Sequence, residues 1–396
     1  RVSPSRSPGA RTPSIRKDRA IQSHPALFAT GGPTMKSDEA SRGESRDEMK
    51  RNEAHSRDAS RPAVDAGADL LAPLRGRKIG VIGYGNQGRA QAGNLRDAGF
   101  DVWVGCRAGG GSAALAAADR FRVVDPAEIG RHCSVAVLLT PDGTHGPILA
   151  SLIDGPALAA VVFAHGFSLR FGGVPLSSRW DVLLVAPYGP GTSLRRDGKP
   201  GSIPGLIAVH QDASGDGWNL AKAYAVAAGC SATALVRSTV AHETEIDLFG
   251  EQAVLCGGIA ALVTAAWETL VAAGYDPLLA YMECVQQVGL TSDMITRFGV
   301  AGMREKISPL ALFGDLTRGP RVIDSATRER LAAILDDIRS GRFAEEWGRE
   351  QQSGFPVSRA GLLASRQHPM EAIGREARGW GREPDRSSGE DDPAGT

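Results

Sequence analysis

The 396-residue sequence predicts an α/β fold with a parallel sheet, followed by an all-helical half. Three observations carry that prediction. The segment from Arg77 to Arg107, RKIGVIGYGNQGRAQAGNLRDAGFDVWVGCR, runs apolar strand, glycine turn, helix, strand. Short apolar runs bounded by turn residues recur at Val135–Leu139, Val161–Ala164 and Val182–Val185. From Thr239 to the 350s the pattern lengthens into helices rich in alanine, glycine and aliphatic residues.

Residues 1–70 come first and differ from the rest. They are rich in Arg, Ser, Pro and Asp, lack a sustained apolar period, and read as a disordered extension. Met35 and Met49 could each be the start, so the basic, Ser-rich opening reads as an accidental extension rather than a targeting segment. Residues 376–396 read as a loose tail. Between these ends we expect one domain over 71–238 and a second over 239–375.

In the first domain the strand Ile79–Ile82 leads into Gly83, Gly85 and Gly88, and a helix follows to Ala98. Gly83 permits a tight turn, Gly85 lets backbone approach a pyrophosphate, and Gly88 allows close helix–strand contact. The turn Gly83, Tyr84, Gly85, Asn86, Gln87 and Gly88 is therefore a candidate dinucleotide contact. The second strand, predicted over Asp101–Val104, ends without the acidic residue that commonly holds the ribose hydroxyls of NAD. It ends in Gly105, Cys106 and Arg107, with Ser112 in the following glycine loop. Arg107 could pair with a 2′-phosphate and Ser112 could hydrogen-bond to it, which favours NADPH; a plain surface arginine is the other reading. The carboxyl ends of later strands carry Pro141–Asp142, His165–Gly166 and the run Pro187–Tyr188–Gly189–Pro190–Gly191, where such sheets bind ligands. His165 is placed to face substrate or nicotinamide, or else to bond backbone, and Gly191 is assigned with the cofactor contacts.

In the helical half, AVLCGGIAALVTAAWETLVAAG reads as a buried helix or helix pair, and YDPLLAYMECVQQVGLTSDMI restarts helix after Asp276–Pro277. Asp247 and Glu251 are spaced i,i+4, as are Glu283 and Gln287, so each pair points from one helical face. Two facing helices built this way could hold one or two hard divalent cations, and oxygen-only ligands suit Mg²⁺. Asp247 and Glu251 could equally be surface charges. Glu283, inside AYMEC, would be costly to bury unless paired or coordinated.

Forty-five basic residues balance 45 acidic ones, so nothing argues for a nucleic-acid footprint or membrane attraction. No uninterrupted apolar run of 18 residues is present, so no membrane span is expected. Five cysteines without metal-ligand spacing read as reduced thiols of a cytoplasmic protein.

The pieces IGYGNQG, FAHGFSLRFG, APYGPG, GLIAVHQDASG, ETEIDLFGEQAVLCGG, AGYDPLLAYMEC and FGDLTRGPRVID lie in order along residues 74 to 375. Together they resemble the short form of ketol-acid reductoisomerase. The resemblance implies a Rossmann domain followed by a knotted helical domain that is largely a homodimer interface. It implies Mg²⁺-dependent alkyl migration in 2-acetolactate or 2-aceto-2-hydroxybutyrate, followed by reduction with NADPH. It makes His165 a catalytic-site histidine, Asp247, Glu251 and Glu283 metal ligands with Glu251 also catalytic, and Ser308 a contact to the substrate carboxylate from the partner subunit.

The sequence departs from that family at three places. Tyr188 stands where a lysine is usual, Gln287 replaces a glutamate, and Pro141–Asp142–Gly143 replaces a PDE triplet. A neutral amide is a poor Mg²⁺ ligand, and a phenol cannot supply the lysine's charge. Isomerisation followed by reduction is the leading expectation. Reduction of a different 2-keto acid without isomerisation, and a silent binding protein, remain as alternatives.

Overall fold

The computed structural model describes residues 69–196 and 199–379. The extension predicted over 1–70 lies almost wholly outside the described residues, as does most of the tail over 376–396.

Eight strands form one sheet: β1 Ile79–Ile82, β2 Val102–Gly105, β3 Arg122–Val124, β4 Val135–Leu138, β5 Ala160–Phe163, β6 Asp181–Pro187, β7 Ile203–Gln211 and β8 Cys230–Arg237. Their spatial order is β8-β7-β6-β5-β4-β1-β2-β3. Every neighbouring pair is parallel except β6 with β7. The strand order reverses between β1 and β4, and a crevice for ligand opens at such a point beyond the strands' carboxyl ends. β1, β2, β4 and β5 are buried along their whole length. Strands covered on both faces read as continuous apolar runs, which is why they were legible in the sequence. The observed strands sit within a residue or two of the predicted ones, with β2 beginning at Val102 rather than Asp101.

Helices α1 Asn86–Asp97, α2 Gly111–Ala118, α3 Pro126–His132 and α4 His145–Leu152 connect the first strands. One apolar cluster, around Leu95, Val104 and Tyr224, covers one face of the sheet. A second, around Ile129, Phe163 and Trp180, covers the other. The turn into α1 is steric in origin. Gly83 sits at φ +98°, and a β-carbon on Gly88 would lie 2.2 Å from the Gly83 carbonyl oxygen. Gly85 meets nothing within 4 Å, which leaves its backbone open to a ligand.

Beyond β8 the described chain is helical: α5 Val240–Gly250, α6 Gly257–Ala272, α7 Pro277–Tyr281, α8 Gln287–Arg304, α9 Pro309–Val322, α10 Ser325–Arg339, α11 Arg342–Gln352, α12 Pro356–Gln367 and α13 Pro369–Gly379. Thr239 caps α5 by accepting from the His242 amide, and Asp276 caps α7 by accepting from Leu278 and Leu279. Two π-helical turns, Glu251–Leu255 and Met282–Gln286, interrupt the bundle. Such turns concentrate at functional sites, and each begins at or next to a candidate metal ligand.

The buried helix expected in AVLCGGIAALVTAAWETLVAAG is corrected by the structure. Within α6 only Trp267 is buried, packing with Tyr281 and Met370, whereas Leu262 and, in the turn before it, Leu255 stand more than half exposed. An apolar period shows that a face must be covered but not whether the same chain covers it. Val240–Ala272 is long enough to cross a membrane and holds an 18-residue window of mean hydropathy 1.8, apolar enough by composition. That stretch also carries Asp247 and Glu251 and is broken by the first π turn.

Candidate functional site

Two cavities open at the carboxyl edge of the sheet. The first, of about 650 Å³, is lined by Gly83, Tyr84, Gly85, Arg107, Ser112 and Thr140. It thus brings the glycine turn, the end of β2 and the loop after β4 together. Ser112 lies in the first turn of α2, whose amides face an anion most favourably. The shape and chemistry fit a dinucleotide, and Arg107 and Ser112 give its lining a cation and a hydroxyl.

Among the remaining predicted contacts, Tyr84 lines this cavity, whereas Asn86, Gln87 and Gly191 do not. Tyr84 points its ring inward, where its hydroxyl donates to Asp119 Oδ2 at 2.8 Å. Burial, then that carboxylate, push its phenol well above the ordinary range. Gln87 donates through Nε2 to the Gly189 carbonyl at 2.9 Å. Gly191 packs on the backbone of Asn86, where a β-carbon would come within 2.2 Å of the carbonyl oxygen. Asn86 and Gly191 line a smaller, separate cleft, so here they position the turn rather than line the cavity.

The second cavity, of about 670 Å³, lies at the ends of β5 and β6 against α5 and α11. His165, Tyr188, Asp142, Glu243, Asp247 and Glu251 line it on one side. Phe343 and Trp347 line another. Glu243 was not singled out in the sequence, yet it organises the site. It is 5% exposed, accepts from His165 Nδ1 at 3.1 Å, and accepts from the Gly166 amide at 2.9 Å. Asp247 Oδ2 lies 3.4 Å from the same ring nitrogen. Burial opposes charge on His165, but Glu243, Asp247 and Asp142 outweigh it and push its pKa up to about 9. With Nδ1 engaged, Nε2–H is the donor left for whatever fills the cavity.

Asp247 is held above the usual carboxylate range, first by burial; His165 opposes this and the charges of Glu251 and Glu243 reinforce it. Tyr188 is 56% exposed, and burial followed by Glu243 and Asp247 raises its phenol. Asp142 is fixed from behind: Ser168 Oγ lies 2.9 Å from its Oδ1 and 2.8 Å from the buried His145 Nδ1.

Four carboxylates therefore share the cavity with one imidazolium, for a formal charge of −3. An anion would be repelled from such a cavity, and a divalent cation would be attracted. Asp247 and Glu251, one turn apart on its rim, suit one hard cation, which takes one or two carboxylates and keeps several waters. The structure does not assemble the larger set predicted. Among the described residues no group of three or more His, Cys, Asp or Glu side chains is placed to hold a metal. Glu283 is exposed rather than buried, lies outside this cavity, and accepts from Gln287 Nε2 at 2.7 Å. Ser308 also lies outside it and caps α9, accepting from the Ala311 amide at 3.2 Å. The segments carrying both residues also expose large apolar side chains, among them Leu279, Leu290 and Leu310.

Residues 73–234 match a family model described as acetohydroxy acid isomeroreductase, NADPH-binding domain. Residues 240–381 match ketol-acid reductoisomerase, C-terminal domain. Ketol-acid reductoisomerase (NADP(+)) of Xylella fastidiosa strain 9a5c is 43% identical over 305 residues, covering 76% of this chain and 87% of the relative. A solved NADH-preferring ketol-acid reductoisomerase from an uncultured archaeon is 35% identical with a TM-score of 0.74, covering 81% of this chain and 98% of that one. A semialdehyde dehydrogenase NAD-binding protein from Cupriavidus necator, at 18% identity and a TM-score of 0.51 over 67% of this chain and 99% of its own, shares the fold alone. The chain belongs to the ketol-acid reductoisomerase family, NADP-dependent oxidoreductases of branched-chain amino acid biosynthesis that use NADPH and Mg²⁺.

Proposed function

We propose that this chain converts a 2-acetohydroxy acid such as 2-acetolactate into the 2,3-dihydroxy acid. The 2-hydroxyl loses its proton, the alkyl group moves from C2 to the neighbouring carbonyl carbon, and the new ketone at C2 is reduced. The observation that carries this reading is the wall between the two cavities. Pro141 and Gly143 line the dinucleotide side, and Asp142 between them lines the acidic side. A nicotinamide entering from the first cavity would meet a ketone held in the second.

Asp247 and Glu251 would hold Mg²⁺, and Arg107 with Ser112 would hold the 2′-phosphate of NADPH. When bound, Mg²⁺ polarises the substrate oxygens and stabilises alkoxide, and NADPH supplies hydride. The His165 Nε2–H donates to a substrate oxygen, its charge maintained by Glu243. Tyr188 offers the same cavity a neutral donor in place of an ammonium, so anion neutralisation falls more heavily on the cation.

A second copy of the chain is the partner we infer, cytoplasmic like the reduced state of its five free cysteines suggests. The support is the exposed apolar side of the helical half, where Leu279, Leu290, Leu310 and Phe313 are each at least 60% exposed. Pairing there would bring Glu283 and Ser308 of one copy toward the other's acidic cavity.

One observation favours a second reading. The Gln287 amide occupies a Glu283 carboxylate oxygen, which leaves fewer oxygens for a second ion. Reduction of an already isomerised keto acid needs less charge stabilisation than alkyl migration does. Mg²⁺-dependent NADPH oxidation with 2-acetolactate, run beside 3-hydroxy-3-methyl-2-ketobutyrate, separates the two. Turnover of both supports the isomeroreductase, turnover of only the keto acid supports a reductase, and turnover of neither sinks both.

The cofactor assignment has its own test. Arg107→Ala is expected to raise the KM for NADPH by roughly 10- to 100-fold, the worth of a charge-assisted hydrogen bond, while the KM for NADH barely moves. An equal loss for both cofactors would place Arg107 away from the 2′-phosphate.

A further inference from the structure

Trp347 stands where the acidic cavity meets another. Behind it lies a space of about 640 Å³, lined by Phe167, Phe171, Val174 and Ala344 together with the polar Glu345 and Gln351. Trp347, Phe167 and Asp142 line both spaces. Asp142 is tied down by Ser168, so the large side chains that form the partition are the indole and the Phe167 ring.

The indole is held in place by the way α11 is anchored. Gly341 opens that helix at φ +84°, a conformation that side chains other than glycine rarely adopt. Arg342 pairs with Asp337 through Nε at 2.6 Å. At the far end Glu350 accepts from the Ser358 amide at 2.8 Å, pinning the start of α12. The Trp347 ring lies 5.8 Å from that of Phe355, centroid to centroid. Phe343 and Trp347 are one turn apart, so both rings leave the same helical face toward the acidic cavity.

The cavity is divided by chemistry. Carboxylates, His165 and the cation they attract take the polar end of a 2-acetohydroxy acid, and its alkyl group must then lie toward apolar side chains. Phe343 and Trp347 supply the aromatic part of that wall, beside Leu206, Leu248 and Leu255. We propose that Trp347 sets the largest alkyl group the site accepts, by standing between the acidic cavity and the space behind it. This rests on the isomeroreductase reading. Replacing the indole by a smaller side chain joins the two spaces and gives a longer chain room beside Phe171 and Val174.

The test compares kcat/KM for NADPH oxidation, with Mg²⁺ and the full chain, on three 2-aceto-2-hydroxy acids. Their migrating groups are methyl, ethyl and propyl. An apolar pocket discriminates roughly 10- to 200-fold per methylene, so the wild type is expected to take the propyl compound at least about tenfold less well than the methyl one. In Trp347→Ala the propyl-to-methyl ratio should rise at least about tenfold, and in Trp347→Phe by an intermediate factor, while the KM for NADPH stays within about twofold. The milder variant keeps the ring contact with Phe355, so it serves if the alanine variant fails to fold. A ratio unchanged in Trp347→Phe and Trp347→Ala, even with lower absolute turnover, overturns the proposal and leaves Trp347 a packing residue. A wild type that takes the propyl compound as well as the methyl one overturns it too. Turnover of none of the three by the wild type would remove the isomeroreductase reading itself, and the proposal with it.

Discussion

Asp247→Asn is expected to lower Mg²⁺-dependent turnover by more than about a hundredfold, because replacing residues that merely orient metal ligands already costs 10- to 100-fold. Mg²⁺ affinity should fall with it, read by titration calorimetry in the presence of NADPH, whereas NADPH affinity alone should not change. Stability should move the other way or not at all. In the metal-free protein burial raises the Asp247 pKa, with Glu251 and Glu243 adding to it, so its ionised form is disfavoured in the folded state. A group with a raised folded pKa contributes stability at low pH that is lost as pH rises. The asparagine carries no such loss, so at neutral pH the metal-free variant should melt at or above the wild-type temperature. Below the ordinary carboxylate range, where both forms are neutral, the difference should vanish. A variant that binds Mg²⁺ normally would remove Asp247 from the metal site.

The parts of this molecule visible in its sequence are those where one residue's sterics or one run's periodicity decides the outcome. Gly83 and Gly88 are required by a turn too tight for a β-carbon, so the glycine spacing identifies the turn without any tertiary knowledge. β1, β4 and β5 are covered on both faces and therefore read as plain apolar runs. His165 was placed by a general property of parallel sheets, whose strand ends carry ligands. Glu243 has a sequence signal of its own. Acids at 243, 247 and 251 recur once per helical turn, and that spacing puts all three on one face. The first lacks an apolar setting in sequence to mark it as buried, so the spacing alone points to it.

Other features leave no local trace. Nothing in GEQAVL or AYMECV signals a π turn, since the extra residue per turn is settled by packing around the helix. Phe343 and Trp347 reach the cavity from a helix almost a hundred residues beyond Asp247. The outward apolar side of α6 has the same composition as a core helix. The difference between them belongs to the surroundings and not to the sequence.

Glu243→Gln is expected to uncouple His165 from its charge while leaving the fold intact. The glutamine can still accept from the Gly166 amide, so the backbone contact at 2.9 Å survives in kind. It cannot supply the negative charge that, against burial, does most to raise the His165 pKa to about 9. The ring should therefore titrate well below 9 in the metal-free variant, read from its proton or nitrogen resonances across pH. Linkage fixes the consequence for stability. A histidine raised from an ordinary value near 6.5 contributes stability that is fully present below 6.5 and is lost as pH rises through 9. For His165, whose side chain is 27% exposed, that contribution is on the order of 3 kcal/mol at most. Urea unfolding of the metal-free wild type should accordingly lose stability between pH 6.5 and 9, and Glu243→Gln should show a flatter profile over the same interval. Glu243→Asp, which keeps the charge on a shorter stem, should restore part of the slope. If wild type and Glu243→Gln lose stability in parallel, another group titrates in that window, and the charge on His165 does not depend on Glu243.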